Sequence, residues 1–417
     1  MRHVEGLIKF IDHSYTPYHV TENLKQMLLE NGFEYISSDV ENIKLGKKYF
    51  TIYNDSAIVA FTTPTSKANV EAHIVASHND SPTFKLKPNY LLVDNNYVRF
   101  NTEPYGGAIY ATFTDRILGV AGRVIVNEEG TLKTKLVNLP DDVIIPNVAI
   151  HMNREINSNL SLNPQVDMLP VFSLKKDNKL FQKEIISHDL YLYNKDKGHI
   201  WGQDKEFVSS PKLDDLECAY ASIVAIMHQD ANEFLNMSVV FNHEEVGSRS
   251  TNGAASNFLE SLIRNITKKL ELEDFEKIIR NSLIVSADNA HAIHPNHPEV
   301  SDKTNYPVLN KGVVIKHQAG LSYTTDALSE AAFKYVLEKA GVPVQSYTNR
   351  SDKRGGGTLG SILLATLPIS SVDIGLAQLA MHSAFETAGS KDIDYLVKAL
   401  DTLFNERLNI SNILINK

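Results

Sequence analysis

Histidine and acidic side chains gather where predicted strands end. In four places an apolar run of strand type leads to such residues, and a fifth pair stands just before a predicted helix: His78 and Asp80, His243 to Glu245, Asp288, His382, and Asp214 with Asp215. Open α/β sheets bind ligands at the carboxyl ends of their strands. One such residue alone is usually a capping or hydrogen-bonded group, so it is the convergence of five that indicates a site.

The residue types indicate a hydrolytic metal site. Two histidines with several carboxylates and no thiolate match zinc or manganese, and a shared carboxylate lets two ions sit about 3.5–4 Å apart. Such a pair activates water and clamps a carbonyl group. Successive side chains of an extended segment point in opposite directions, so one of Glu244 and Glu245 ligates while its neighbour faces the water, and Glu244 is the candidate base. Gly247 stands where a helical single-zinc protease needs its second histidine, which disfavours that class.

The segments that must position these residues are of two kinds. Apolar strand patterns and helical patterns fill residues 1–88 and 208–417, ending in a clear helix that starts at Asp392. Residues 89–207 carry strand-like pieces with few helical patterns, among them 120–126, 143–145 and 190–193. We therefore predict an α/β catalytic domain with a mixed, mostly parallel central sheet flanked by helices, split by an inserted all-β domain at 89–207.

Composition excludes several classes of protein. The chain has 417 residues, 41 Lys and Arg against 50 Asp and Glu, and one cysteine, Cys218. A single cysteine permits neither a disulfide framework nor a cysteine-rich zinc module, and a net charge of −9 argues against a nucleic-acid partner. Neither a signal-type start nor an apolar run of about 20 residues occurs, so we expect no membrane partner and a cytoplasmic location.

Two further patterns have ordinary explanations. The run Gly355–Gly360 satisfies the dinucleotide pattern G-x-G-x-x-G, but polar residues separate it from the preceding strand and Pro368 cuts short the helix that follows. We expect these glycines to let the backbone approach a peptide closely. His291, His294 and His297 are spaced like a ligand cluster, yet prolines prevent a regular helix from aligning them.

The ordered motifs of the chain resemble those of the aspartyl aminopeptidase family over nearly the whole length. The motifs are Ser77-His-Asn-Asp-Ser-Pro82, Glu103-Pro-Tyr-Gly-Gly-Ala-Ile-Tyr110, Pro146-Asn-Val-Ala-Ile-His151, Ser210-Pro-Lys-Leu-Asp-Asp-Leu216, Phe241-Asn-His-Glu-Glu-Val-Gly-Ser248, Ser286-Ala-Asp-Asn-Ala-His-Ala-Ile-His-Pro295, Asn349-Arg-Ser-Asp352 and Met381-His-Ser383. Members of that family are cytosolic dinuclear-metal exopeptidases. The resemblance implies a zinc-exopeptidase-like fold, an inserted dimerisation or lid domain, and a homo-oligomer, a tetrahedral dodecamer built from dimers.

Carried over by position, the resemblance implies a role for each site residue. Two divalent ions bind per subunit, zinc in the first place, with cobalt or manganese as alternatives. The implied ligands are His78 and Asp288 for one ion, Glu245 and His382 for the other, and Asp214 as the bridge. Asp80 orients a ligating histidine, and Glu244 takes a proton from the water and passes it to the leaving amine.

On the substrate side the resemblance implies two residues. His151, in the insert, reaches into a neighbouring subunit's active site, and Lys316 holds an acidic side chain or steers a carboxylate. The chain departs from the family at Asp215, where an Asn is common, and we expect that acid to be a helix-start residue.

The implied function is removal of the N-terminal residue of short peptides, and a preference for Asp or Glu stays open because relatives differ. Two alternatives remain. One is a related metallohydrolase of other scope: a deblocking or neutral-residue aminopeptidase, or a hydrolase of acyl amino acids. The other is a catalytically silent oligomeric peptide-binding protein.

Overall fold

A computed structural model describes residues 2–94, 96–174 and 185–410. The strands, in chain order, are β1 (Glu34–Tyr35), β2 (Lys48–Tyr53), β3 (Ala57–Thr62), β4 (Ala72–His78), β5 (Thr83–Val93), β6 (Val98–Tyr105), β7 (Leu118–Glu128), β8 (Thr131–Asn138), β9 (Val171–Ser173), β10 (Ile185–Asn194), β11 (His199–Trp201), β12 (Phe207–Ser210), β13 (Leu235–Phe241), β14 (Leu283–Ala287), β15 (Ala290–His291), β16 (Val313–His317), β17 (Val344–Thr348), β18 (Ser370–Gly375), β19 (Ala377–Leu379) and β20 (Glu386–Gly389). The helices are α1 (Arg2–His13), α2 (Pro17–Glu30), α3 (Leu213–Met227), α4 (Phe258–Lys269), α5 (Phe275–Asn281), α6 (Ala327–Ala340), α7 (Leu359–Leu363) and α8 (Asp392–Leu403).

The central sheet has nine strands in the order β1-β2-β3-β13-β4-β14-β18-β16-β17. Its middle strands β13, β4, β14 and β18 run parallel to one another, while β3 and β16 pair antiparallel to their neighbours in that group. All residues of β4, β13 and β14 are buried, as expected for strands covered on both faces. The carboxyl ends of the middle strands therefore lie at one edge of the sheet.

Helices cover both faces of this sheet. Strand residues alternate between two cores: Val75 belongs to the core that includes residues of α1, α2, α3, α6 and α8, and Ile74 to the core that includes residues of α4, α5 and α7. Helix α3 is buried on nearly every side, and truncating its fully buried Leu216 to alanine should cost about 2–5 kcal/mol of stability. The predicted mixed, mostly parallel sheet flanked by helices is observed.

A second sheet has six strands in the order β8-β7-β10-β5-β6-β9, all antiparallel. We call residues 83–194, which supply all of its strands, the insert. The sheet begins at Thr83, before the boundary predicted at residue 89, because β5 follows the loop after β4 almost at once. The run 143–145 was predicted as a strand but forms only isolated bridges, to Thr114, Leu118 and Val171; Pro146 directly after it lacks an N–H to extend the ladder.

A third sheet joins the two larger units. Its order is β11-β12-β20-β19-β15, and it carries the chain from the insert back to α3. The last helix begins at Asp392, as predicted. Within the described residues, no helix has both the length and the apolar character needed to cross a bilayer.

Candidate metal centre

Five side chains from separate segments meet at the carboxyl edge of the central sheet. Their positions follow from the elements just given: His78 closes β4, Asp288 follows β14, Asp214 lies at the start of α3, Glu245 lies in a short 3-10 helix (Glu244–Val246) after β13, and His382 lies in the turn between β19 and β20. The strand-end positions predicted from the sequence are thus brought together. The peptide bond between Asp214 and Asp215 is cis.

Asp214 lies between the two histidines. Its Oδ1 atom is 3.8 Å from His78 Nε2, and its Oδ2 atom is 3.4 Å from His382 Nε2. The same nitrogen of His382 is 3.4 Å from Glu245 Oε1. Two sets of ligand atoms therefore share this one carboxylate, with the atoms of each set within 4.8 Å of one another: His78, Asp214 and Asp288, and Asp214, Glu245 and His382.

The chemistry of these side chains fits divalent cations. Asp214 Oδ1 and Glu245 Oε1 are buried and have no hydrogen-bond partner among the described residues. A carboxylate oxygen shut away from water without a donor is costly, and a cation offsets that cost. Burial also raises the pKa of Asp288 and raises that of Glu245 well above its ordinary range. Imidazole and carboxylate together are the ligands of hydrolytic zinc and manganese sites.

Hydrogen bonds fix the orientation of both histidines. His78 Nδ1 lies 3.1 Å from the backbone oxygen of Asp80 and 3.4 Å from its Oδ1, so the Nδ1–H donates and Nε2 is left facing Asp214. His382 Nδ1 lies 3.1 Å from the Gly107 carbonyl, which leaves its Nε2 toward the centre in the same way. This is the usual device by which a protein sets the tautomer of a ligating imidazole.

Two buried carboxylates hold the backbone around the ligands. Asp80 accepts the backbone N–H groups of Glu244 and Glu245 at 3.0 and 3.1 Å. Although burial opposes ionisation, the hydrogen bond and charge of His78 and the bond from Tyr105 hold the pKa of Asp80 below its ordinary value. Glu386 accepts the N–H groups of Asp214 and His382 at 3.0 and 2.8 Å. Glu386 was not predicted, since no strand-end pattern marks it.

Glu244 lies beside the centre without belonging to either set that shares Asp214. One of its oxygens is within 4.8 Å of ligand atoms of His78 and Glu245, and the residue lines the cleft. Burial raises the pKa of Glu244 to about 8. Nearby cations would favour its ionised form. A carboxylate in this position can accept a proton from water.

Asp215 contacts the ligand strand directly. Its Oδ2 atom accepts the backbone N–H of His78 at 3.2 Å, and the residue is fully buried. Asp215 lies in the first turn of α3, where the sequence places it, but the backbone angles of Asp214 and Asp215 are not helical, and the Asp215 carboxylate binds the backbone of β4. Burial raises the pKa of Asp215 well above its ordinary value.

A cleft of about 200 Å³ opens onto the centre. Beyond the ligands and Glu244, it is lined by Lys316, His291, Tyr323, Tyr347, Met381 and the glycine-containing run 356–358. Gly356 and Gly357 thus lie beside the cleft, where the sequence placed a close approach to a peptide. Lys316 is almost fully buried, and its Nζ donates to the backbone oxygens of Asp288 and Asn289 at 2.7 and 3.3 Å.

His151 lies away from this cleft. It is exposed in the loop between β8 and β9 of the insert, and it is not among the residues that line the cleft. Val148, Ile150 and Met152, on either side of it, are exposed apolar residues. Within the described chain, the structure therefore does not bring His151 to the metal centre of its own subunit.

The chain matches one protein family over most of its length. The model of the family described as aminopeptidase I zinc metalloprotease (M18) matches residues 10–404. A protein of Clostridium novyi named "Probable M18 family aminopeptidase 2" is 44% identical, over 96% of this chain and 98% of that one.

Solved structures of similar proteins superpose closely on this fold. One is the cryo-EM structure of a complex of Ape4 and Nbr1, with a TM-score of 0.93 and 32% identity over 99% of this chain and 87% of that one. Another is that of the mApe1 dodecamer from S. cerevisiae, with a TM-score of 0.81 and 26% identity over 99% of each chain.

Proposed function

Because the chain belongs to the M18 family of zinc metalloprotease aminopeptidases, we propose that it removes the N-terminal residue of short peptides at a dinuclear metal centre. Membership confirms the resemblance stated from the motifs and makes the chain a metallo-aminopeptidase. One observation carries the proposal for two ions: the carboxylate of Asp214 lies between two sets of ligands.

His78 and Asp288 would hold one ion, Glu245 and His382 the other, and Asp214 would bridge them. Zinc is our first choice because of the family's description, with cobalt or manganese as alternatives that the same ligands accept. When bound, the ions supply an activated water and a positive charge for the scissile carbonyl oxygen.

Glu244 performs the proton transfers in this proposal. Its carboxylate accepts a proton from the attacking water and then passes it to the leaving amine. The backbone N–H of Glu244 donates to Asp80, which fixes the peptide that carries this side chain. Its neighbour Glu245 would serve as a ligand instead, since its Oε1 atom lies 3.4 Å from His382 Nε2 in a set that shares Asp214. The extended segment expected from the sequence is wrong: both acids lie in a 3-10 helix and both reach the centre, so their division of labour rests on these contacts and not on opposite directions.

Which N-terminal residue is removed depends on the groups of the cleft that contact the side chain of the substrate. A preference for Asp or Glu is supported by Lys316, the one lysine or arginine among the described residues that line the cleft. A second candidate, removal of neutral residues, is favoured by the contacts of that lysine: its ammonium is engaged by two backbone oxygens and lies 3.7 Å from Asp288 Oδ2. The two tyrosines of the cleft suit an apolar or uncharged side chain.

We also propose that the chain forms a homo-oligomer, a tetrahedral dodecamer assembled from dimers through the insert. The yeast relative is a dodecamer by its title, and 13 of the 23 exposed large apolar side chains of the described chain lie in the insert. Exposed apolar groups in such density indicate a surface that another protein covers. His151 lies within it, which supports a role at a neighbouring subunit's site. The single, buried thiol of Cys218 suits the reducing cytoplasm.

The test is hydrolysis of a panel of peptides that differ only in the N-terminal residue, with chelator and with zinc, cobalt or manganese restored. Chelator-sensitive release of the first residue supports the proposal, and the ratio of Glu to Leu release decides between acidic and neutral preference. An N-acetylated peptide serves as control. Cleavage of the blocked peptide in preference to the free one would replace the proposal by acyl-amino-acid or deblocking chemistry, and no release with any metal would refute it.

A further inference from the structure

A short segment of the insert crosses the metal centre. We define the strap as residues 105–109, which begin at Tyr105, the last residue of β6. At its start, the buried hydroxyl of Tyr105 donates to Asp80 Oδ2 at 2.8 Å. Asp80 is the carboxylate that receives the backbone N–H groups of Glu244 and Glu245 and lies against His78. The first strap residue therefore reaches one half of the centre through Asp80.

The rest of the strap contacts the other half. The Gly107 carbonyl accepts from His382 Nδ1 at 3.1 Å, and the Ile109 N–H donates to the His382 backbone oxygen at 2.9 Å. Gly106 has a φ of +69°, and a Cβ built on it would lie 3.1 Å from Glu245 Cβ. Glycine is required there both by the left-handed backbone and by the close approach.

Among the described residues, every donor around the Asp80 carboxylate is already used, so no other group nearby could replace a lost one. Its Oδ1 accepts from Glu244 and faces His78, while its Oδ2 accepts from Glu245 and Tyr105. The carboxylate is fully buried, so water cannot replace a lost donor without entry into the core. A change at Tyr105 is thus expected to move Asp80 and, with it, the peptide that carries Glu244 and Glu245.

We propose that the strap positions both halves of the metal centre. The insert would then affect the geometry of the catalytic site in addition to the formation of an oligomer. Tyr105 is a positioning residue that acts through Asp80 and does not touch the reacting atoms. This inference rests on the proposed dinuclear site. It extends that site to residues outside the ligand set, from a part of the chain to which dimerisation, a lid role and the substrate residue His151 had been assigned.

The first experiment compares Tyr105→Phe with Tyr191→Phe. Both tyrosines are buried in one aromatic cluster, with ring centroids 5.4 Å apart, but within the described residues the Tyr191 hydroxyl makes no hydrogen bond. Zinc affinity is measured on the full chain by competition with a chromophoric chelator, and the visible spectrum of the cobalt-loaded protein reports ligand geometry. Tyr105→Phe should weaken zinc binding or kcat about 10- to 100-fold, with KM within about twofold, and should alter the cobalt spectrum.

The control should behave like the parent protein in all three readouts. Equal behaviour of the two variants, or an unchanged cobalt spectrum in Tyr105→Phe, would overturn the inference. The metal measurements need no peptide substrate. If the parent protein binds two zinc ions but cleaves none of the panel, the proposed function fails while the strap is still tested.

The second experiment uses a matched pair of glycines. Gly106→Ala puts a methyl group against Glu245, whereas Gly130→Ala, at a similar φ of +83° in the turn between β7 and β8, meets open space. Both substitutions place an alanine at a positive φ, so both raise the free energy of the backbone in the same way. A difference in zinc stoichiometry between the two variants therefore reports the contact with the centre. We expect Gly106→Ala to lose one of the two ions and Gly130→Ala to keep both. Two ions in each variant would contradict a role for the strap at the Glu245 half.

Discussion

The change of Glu244 to glutamine separates the proposed base from the ligands. Glutamine keeps the size of the side chain but cannot accept the proton from water at neutral pH. The structure makes the outcome informative, because an oxygen of Glu244 is itself within 4.8 Å of ligand atoms of His78 and Glu245. The side chain is therefore close enough to be a ligand, and the number of ions bound must be measured together with the rate.

General acid–base catalysis contributes about 10²- to 10⁴-fold, so kcat for Glu244→Gln should fall by that factor. This loss corresponds to an activation barrier higher by about 2.7–5.4 kcal/mol. The two sets that share Asp214 do not include Glu244, so we expect two ions per chain in the variant, as in the parent protein. The matched control is Glu245→Gln, which changes the adjacent acid 3.4 Å from His382 Nε2 and should lower the number of ions bound.

The assay pairs kcat on the best peptide of the panel with elemental analysis of the dialysed protein. A kcat within about tenfold of the parent protein would refute Glu244 as the base, since the expected loss begins at about 10²-fold. Loss of an ion from Glu244→Gln to the same extent as from Glu245→Gln would instead make Glu244 a ligand.

Three other outcomes follow from the geometry. Removing the ions with chelator should lower the melting temperature by several degrees in calorimetry, since each ion present at about 100 times its Kd adds roughly 2.7 kcal/mol to the native state, and an unchanged melting temperature would contradict the buried ligand cluster. Lys316→Met should lower kcat/KM for Glu and Leu peptides by the same factor if the lysine only braces Asp288; a selective loss for the Glu peptide would show that it binds the acidic side chain. Met152→Asp, at an 82% exposed position of the insert, should reduce the mass measured by light scattering, whereas the same change at exposed Leu29 of α2 should leave it unaltered; identical masses would place the interface elsewhere.

The sequence predicted that these side chains gather at one edge of the sheet, because their positions depend on a local rule. His78 and Asp288 each follow an apolar run, and parallel packing of those runs is enough to bring the two side chains to one edge of the sheet. The mixed sheet, its helical covering and the β-rich insert also follow from patterns of short range. Strand ends and helix starts carry their own signals, so the elements could be placed without knowing their neighbours.

What the sequence did not predict depends on contacts between distant segments. Glu386 binds the backbone of Asp214 and His382, and Tyr105 binds Asp80, yet nothing in the neighbouring residues distinguishes them from other buried polar groups. Tyr105 lies in one of the motifs quoted above, which marks the segment but not the contact. The contact of Asp215 was missed for the same reason, since its partner is the N–H of His78, 137 positions away in the chain.

The order of these residues along the chain also sets when the centre can form during synthesis. Gly107 and His382, which touch in the folded protein, are 275 positions apart. At about 5–20 residues per second, a ribosome needs roughly 14–55 s to make the intervening segment. The strap and the first ligands are therefore synthesised well before their partners. A chain released before residue 382 lacks His382 and Glu386 altogether. If the proposed centre is right, it is incomplete until His382 and Glu386 have been made, so copies shorter than that add no proteolytic activity near other nascent chains.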